Sequence, residues 1–124
     1  MHEIEEFINI REGNQYYILK KLHSLITVFD IITCKIRFKI PFYDAKNWVC
    51  YLNPLKKDSV EVVFTHGNLL TELFPVLDLR GRKKVAGIIY KNADEIDDEM
   101  ILLILEKAIE YDVIYGNPFL KKKI

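Results

Sequence analysis

Carboxylates crowd the last third of the chain: Asp94, Glu95, Asp97, Asp98 and Glu99 fall close together, and Glu106, Glu110 and Asp112 follow. Carboxylate oxygens are ligands for hard cations and for ferrous iron, and an exposed group of them can hold a metal weakly enough to pass it on. Asp94, Asp97 and Asp98 are therefore a candidate metal site, with iron as the cargo and an iron-accepting protein as the partner. The competing reading is that acids in a first helical turn cap free backbone amides and face the positive end of the helix dipole. A second group has the opposite sign. Arg80, Arg82, Lys83 and Lys84 surround Gly81, where a glycine turn exposes backbone amides and arginine offers planar donors to phosphate or carboxylate. Lys35, Arg37 and Lys39 form a positive row on the wet face of a strand, and if the two groups meet they make a patch for a phosphorylated ligand or nucleic acid. The competing reading is a solvated sheet face beside a charged loop. A third group is aromatic: Phe42, Tyr43, Trp48 and Tyr51, with His66 further on, could line a pocket for a small ligand, a protein partner or a second copy of the chain. Some of these rings must instead be core.

Other chemistries lack their residues. Ser24 and Ser59 are the only serines and neither sits in a nucleophile elbow. Cys34 and Cys50 have no Cys-x-x-Cys spacing, and His2, His23 and His66 form no His-x-x-x-His pair. The glycine turn lacks the spacing of a phosphate-binding P-loop. A non-enzymatic binding protein is expected.

With 124 residues, half of them apolar, the chain suits one domain over 1–124, its core running from about 14 to 115 and a tail from 116 to 124. Eighteen basic and eighteen acidic side chains cancel, so any electrostatic function must be local. The acidic start lacks the pattern of a secretory leader, and the longest apolar run, Met100 to Leu105, is far below the roughly 20 residues of a membrane-spanning helix. A cytoplasmic protein with two buried free thiols is expected.

These groups are positioned by elements that the hydrophobic period marks out. Ile18, Leu22, Leu25, Ile26 and Phe29 recur at helical spacing, predicting an amphipathic helix over Asn14–Val28, with a short acidic helix over Glu3–Ile10 before it. From Thr33 the period becomes two: Cys34, Ile36, Phe38 and Ile40 alternate with Lys35, Arg37 and Lys39, predicting one strand that Pro41 ends. Strands over 47–52 and 59–65 complete a three-strand antiparallel meander, since connections this short allow no parallel crossover. A helical turn over 69–74, a strand over 84–90 and a helix from Asp97 to a stop at Gly116 follow. Lys121, Lys122 and Lys123 read as a frayed tail. The class is α+β: a curved, mainly antiparallel sheet with helices packed on one face.

The stretches Lys35–Tyr43 (KIRFKIPFY), Trp48–Leu55 (WVCYLNPL), Val60–Asn68 (VEVVFTHGN), Gly81–Tyr90 (GRKKVAGIIY) and the segment from Asp94 into Glu106, Lys107 and Ala108 carry a likeness. Over about three quarters of its length the chain resembles the YdhG-like family, domain of unknown function family 1801. The resemblance implies a frataxin-like two-layer sandwich. It implies little about activity: one relative is regarded as an iron chaperone, and similarly folded families include proteins suspected of binding DNA. Frataxins carry an acidic stripe on the early long helix, where this chain has Lys20 and Lys21.

Overall fold

The computed structural model describes residues 2–119; Lys121, Lys122 and Lys123 lie outside them. In chain order the elements are α1 (His2–Asn9), α2 (Gly13–Ile26), β1 (Thr33–Arg37), β2 (Ile40–Asp44), β3 (Trp48–Pro54), β4 (Val60–Phe64), α3 (Gly67–Leu73), β5 (Ala86–Tyr90) and α4 (Asp98–Tyr115), with 3₁₀ turns at Lys56–Asp58 and Ala93–Glu95. The strands form a curved antiparallel sheet in the order β1-β2-β3-β4-β5, and the fold is α+β. Among the described residues no helix is long and apolar enough to cross a membrane.

The helices cover one face. Strand residues alternate between faces, and Tyr43, Cys50, Leu52, Val60, Val62, Phe64, Ala86 and Tyr90 point into one core with Ile18, Leu19, Leu22 and Ile26 of α2 and Ile101, Ile104, Leu105 and Ala108 of α4; Ile4 and Ile8 of α1 join them, so the core begins ahead of the expected residue 14. The opposite face carries a cross-strand row, Lys35–Phe42–Tyr51–Val63–Gly87, read off the pairing of five neighbouring strands. Phe42 and Val63 are buried there and do not belong to the helix-side core.

Helix ends are fixed by particular side chains. Asp97 caps α4, its carboxylate accepting the Met100 amide at 3.1 Å, and Gly116 at φ 73° ends that helix. Glu12, before α2, makes no side-chain cap. The Asp58 carboxylate, from the loop joining β3 and β4, accepts the amides of Asn14 (2.9 Å) and Gln15 (3.2 Å) instead. The Gln15 side chain then donates to the carbonyls of Leu55 and Ser59.

One expectation fails. Residues 33–40 are not a single strand: the chain reverses at Phe38 (φ 51°) and Lys39 (φ 66°), and Pro41 lies inside β2, facing Ile36. Two consecutive left-handed residues between antiparallel strands fit a two-residue hairpin turn of the primed type, usually written Asn-Gly or Gly-Gly. Neither Phe38 nor Lys39 announces it, so the period-two pattern reads straight through. The meander therefore has four strands before α3, and Phe38 is the tip of a hairpin, 76% exposed.

Left-handed backbone costs a residue with a Cβ about 1–2 kcal/mol. Lys39→Gly should raise the unfolding free energy in urea by about 0.5–1 kcal/mol once the greater freedom of unfolded glycine is deducted. A second dependence lies on the helix side, where the half-buried His23 ring meets the buried Tyr43 hydroxyl, 2.8 Å from Nδ1. Burial lowers the His23 pKa, opposed by Glu5. The folded state then binds a proton less readily than the unfolded chain. Its contribution is present above the ordinary histidine value of about 6.5 and is lost as pH falls through the lower folded value. Urea midpoints of the wild type should drop relative to His23→Gln between pH 7.5 and 5.5.

Candidate functional site

The open face holds an aromatic groove of about 320 Å³ lined by Phe38, Ile40, Phe42, Trp48, Tyr51 and Phe119. Phe42 and Tyr51, opposite each other on β2 and β3, stack with centroids 4.8 Å apart and planes 18° apart. Trp48 meets Phe42 edge-on at 5.1 Å, and Phe38 folds back to within 6.1 Å of Trp48. Phe119, 44% exposed, stands 6.1 Å from the other reach of Trp48. Trp48 owes this position to an irregularity: Tyr43 faces Cys50 but Asp44 faces Trp48, so Val49 is an extra residue. Such a bulge re-aims the side chains beside it. Thr65 holds it in place, its hydroxyl donating to the Trp48 carbonyl and its amide to that of Val49 at 3.1 Å.

Arg37 lies over two of the groove's rings. Its guanidinium makes a two-pronged contact with Asp44 (2.8 and 2.7 Å) and lies 5.7 Å over Phe42 and 5.4 Å over Trp48. The hydrogen bond to Asp44 raises the Arg37 pKa, and the planar cation rests on the negative faces of the rings. Tyr51, at the floor, has its pKa raised by burial and pulled back by Arg82.

Beyond Tyr51 the face carries a buried acid. Glu61 is 1% exposed, yet its oxygens meet Arg80 Nη1 at 2.7 Å and Arg82 Nη2 at 2.8 Å. Gly87 provides the room: a Cβ there would stand 2.6 Å from Glu61 Oε2 and 2.5 Å from the Val62 carbonyl oxygen. Arg82 also donates from Nε to the Leu79 carbonyl at 2.8 Å. Both arginines of the expected anion-binding group are thus held by Glu61. Lys83 and Lys84 remain exposed, and together with Arg82, Val85 and Phe119 they line a second groove of about 370 Å³. Phe119 belongs to both grooves, and Lys84 Nζ lies 5.9 Å over its ring.

Of the aromatic group expected to form a pocket, Phe42, Trp48 and Tyr51 come together, while Tyr43 and His66 do not join them. Tyr43 follows Phe42 and so faces the helices. His66 is buried, with Nε2 at 2.8 Å from the Gly116 carbonyl oxygen, fastening the end of α4 to the start of α3. The acidic residues are placed separately. Asp97 is the α4 cap, Asp98 pairs with Lys21 at 3.0 Å, and Asp94 is exposed on the turn that Asn92 and Glu95 cap. Asp112 is fully buried and accepts the amides of Lys46 and Asn47, both at 2.9 Å, holding the turn between β2 and β3. Among the described residues, no three or more His, Cys, Asp or Glu side chains gather in a way that could hold a metal ion.

Phe38, Ile40, Asp44, Glu61 and Phe119 escaped the sequence reading. Glu61 had a usable signal, a lone acid inside the apolar run Val60–Phe64, which calls for cationic partners if the strand is buried. Removing its charge should unbalance the network. Glu61→Gln is expected to cost about 1–2 kcal/mol of unfolding free energy, less than a fully buried pair because both arginines reach solvent. Chemical denaturation at neutral pH measures it.

No family model matches the chain, and neither a curated protein nor a solved structure matches it.

Proposed function

We propose that this chain is a non-enzymatic binding domain that takes its ligand on the open face of the sheet, and that the ligand joins a flat ring to a negative charge. One observation carries the reading: an aromatic groove and a lysine-lined groove share Phe119 as a common wall. Stacked and edge-on rings present a planar apolar slot. Lys83 and Lys84 supply charge at its end without a carboxylate partner in any described ion pair. A sugar phosphate would meet the cations and leave the slot empty; an uncharged ring would fill the slot and ignore the cations. Only a ligand with both parts uses the whole site.

Metal delivery, the reading that the acidic residues invite, has less to support it. The Asp97 carboxylate already serves the α4 amides and that of Asp98 is paired with Lys21.

Trp48 is the only tryptophan in the chain and lines the slot, so its fluorescence reports occupancy directly. Titration with a nucleoside monophosphate should quench it saturably with a Kd of about 1 mM or tighter, roughly 4 kcal/mol of binding. The matching nucleoside and ribose 5-phosphate should each bind at least tenfold more weakly. Quenching that the nucleoside alone reproduces would remove the role given to Lys83 and Lys84. Absence of saturable quenching by any of the three would reject the reading.

A further inference from the structure

The extent of the open face says more about the ligand than the slot does. The row Lys35–Phe42–Tyr51–Val63–Gly87 crosses all five strands, four inter-strand steps of about 4.8 Å, or roughly 19 Å. Lys35 stands at its β1 end. At the other side lie Arg80 and Arg82 over Glu61, and Lys83 and Lys84 just ahead of β5. Aromatic rings occupy the middle, with Phe38 at one wall and Phe119 at the other. A mononucleotide, whose phosphate hangs beside its base, reaches the cations of one side only. A ligand that engages both must repeat its charge along its length and carry rings between.

The charge distribution agrees. Although the whole chain is neutral, this face and its rim gather Lys35, Arg37, Arg80, Arg82, Lys83 and Lys84 against Asp44, Glu61 and Asp78, an excess of three positive charges. The balancing acids sit elsewhere, on α1 (Glu3, Glu5) and at the start of α4 (Asp98, Glu99). The hairpin tip points the same way. Phe38 keeps a left-handed backbone that glycine or asparagine would hold with less strain, and its mostly exposed ring leans over Trp48. Backbone strain of this kind gathers at ligand-contacting positions, and Phe38 is placed for that role.

Resting on the ligand reading above, we infer that the open face binds single-stranded nucleic acid, with unpaired bases stacking in the slot between Phe38 and Phe119 and the backbone running between Lys35 and the Lys83–Lys84 pair. Aromatic stacking flanked by cations is the chemistry by which single strands are held without base readout, over about four nucleotides or more. A duplex keeps its bases stacked on one another and cannot offer them to the slot.

The test uses fluorescently labelled twelve-residue oligonucleotides of uridine and of deoxythymidine, a duplex of equal length, and an acidic peptide containing phenylalanine, each titrated by anisotropy over a range of salt. A single strand of either sugar should bind at least tenfold tighter than its mononucleotide and than the duplex. The log–log salt slope should be about −2, three phosphates at about 0.7 each. Phe38→Ala should weaken single-strand binding by about fivefold or more, within the range for one lost stacking partner. Lys83→Ala with Lys84→Ala should weaken it further and flatten the slope to about −0.7. These side chains are exposed, and urea melts of both variants confirm the fold before titration. Oligonucleotides that bind no tighter than the mononucleotide would overturn the single-strand inference and leave the ligand reading intact. Failure of both overturns both. Equal affinity for single strand and duplex, unaffected by Phe38→Ala, would reduce the face to a non-specific cation patch and overturn the inference. Tighter capture of the acidic peptide would assign the face to a protein partner and overturn it equally.

Discussion

A five-stranded sheet with helices on one side has a second face that must bury its own middle strands. Here that constraint is met without a third layer. Val63 and Phe42 are buried on the open side, Phe42 among the rings of Phe38, Trp48 and Tyr51, and the arginines Arg80 and Arg82 beside them need an acid to hold them against the sheet. Glu61 is that acid, the second residue of the fully buried strand β4, admitted by the missing side chain at Gly87. The contact fixes the loop carrying Arg80 and Arg82 against the sheet, and thereby the approach of Lys83 and Lys84 to the groove. Around a buried carboxylate, a loop rich in like charge becomes ordered.

Two local departures from regular sheet geometry set the aromatic side. The left-handed turn at Phe38 and Lys39 sends the chain back a residue pair earlier than the alternation implies, and the extra residue Val49 brings Trp48 onto the open face. Each has a cost in backbone energy and a compensating partner. Phe38 gains ring contacts with Phe42 and Trp48, and the bulge carbonyls accept hydrogen bonds from Thr65. Arg37 links the two, paired with Asp44 at the end of β2 while lying over both Phe42 and Trp48.

The fold was largely legible because its elements follow their own periods. The amphipathic spacing in α2, the acid-rich start and Gly116 stop of α4 and the strand over 59–65 each appear in the structure within a few residues of where the pattern puts them. The face each aromatic ring takes was not legible. Adjacent strand residues point opposite ways, so Phe42 and Tyr43 cannot share a site, and only the pairing partners decide which faces the helices. A turn without Asn or Gly left Phe38 looking like core. Phe119, in a segment without periodic pattern, gave no sign that it would reach Trp48. The acidic cluster was the most conspicuous feature in the chain and dispersed on folding: Asp97 caps α4, Asp98 pairs with Lys21, and Asp112 is drawn inside to the amides of Lys46 and Asn47.

The cap on α2 has a consequence for the order in which the molecule is assembled. Fourteen residues without a cap of their own make a marginal helix in water, and the carboxylate that completes this one, Asp58, is 44 positions away along the chain from Asn14. That carboxylate reaches its place only when β3 and β4 have paired, because the loop holding it is left-handed at Lys57 and Asp58 and is anchored at Leu55 and Ser59. Helix and hairpin therefore consolidate together. The helix within the first 26 residues thus owes its cap to a strand pairing in the middle of the chain, a contact of long sequence separation that carries a loop-closure entropy a locally capped helix would escape.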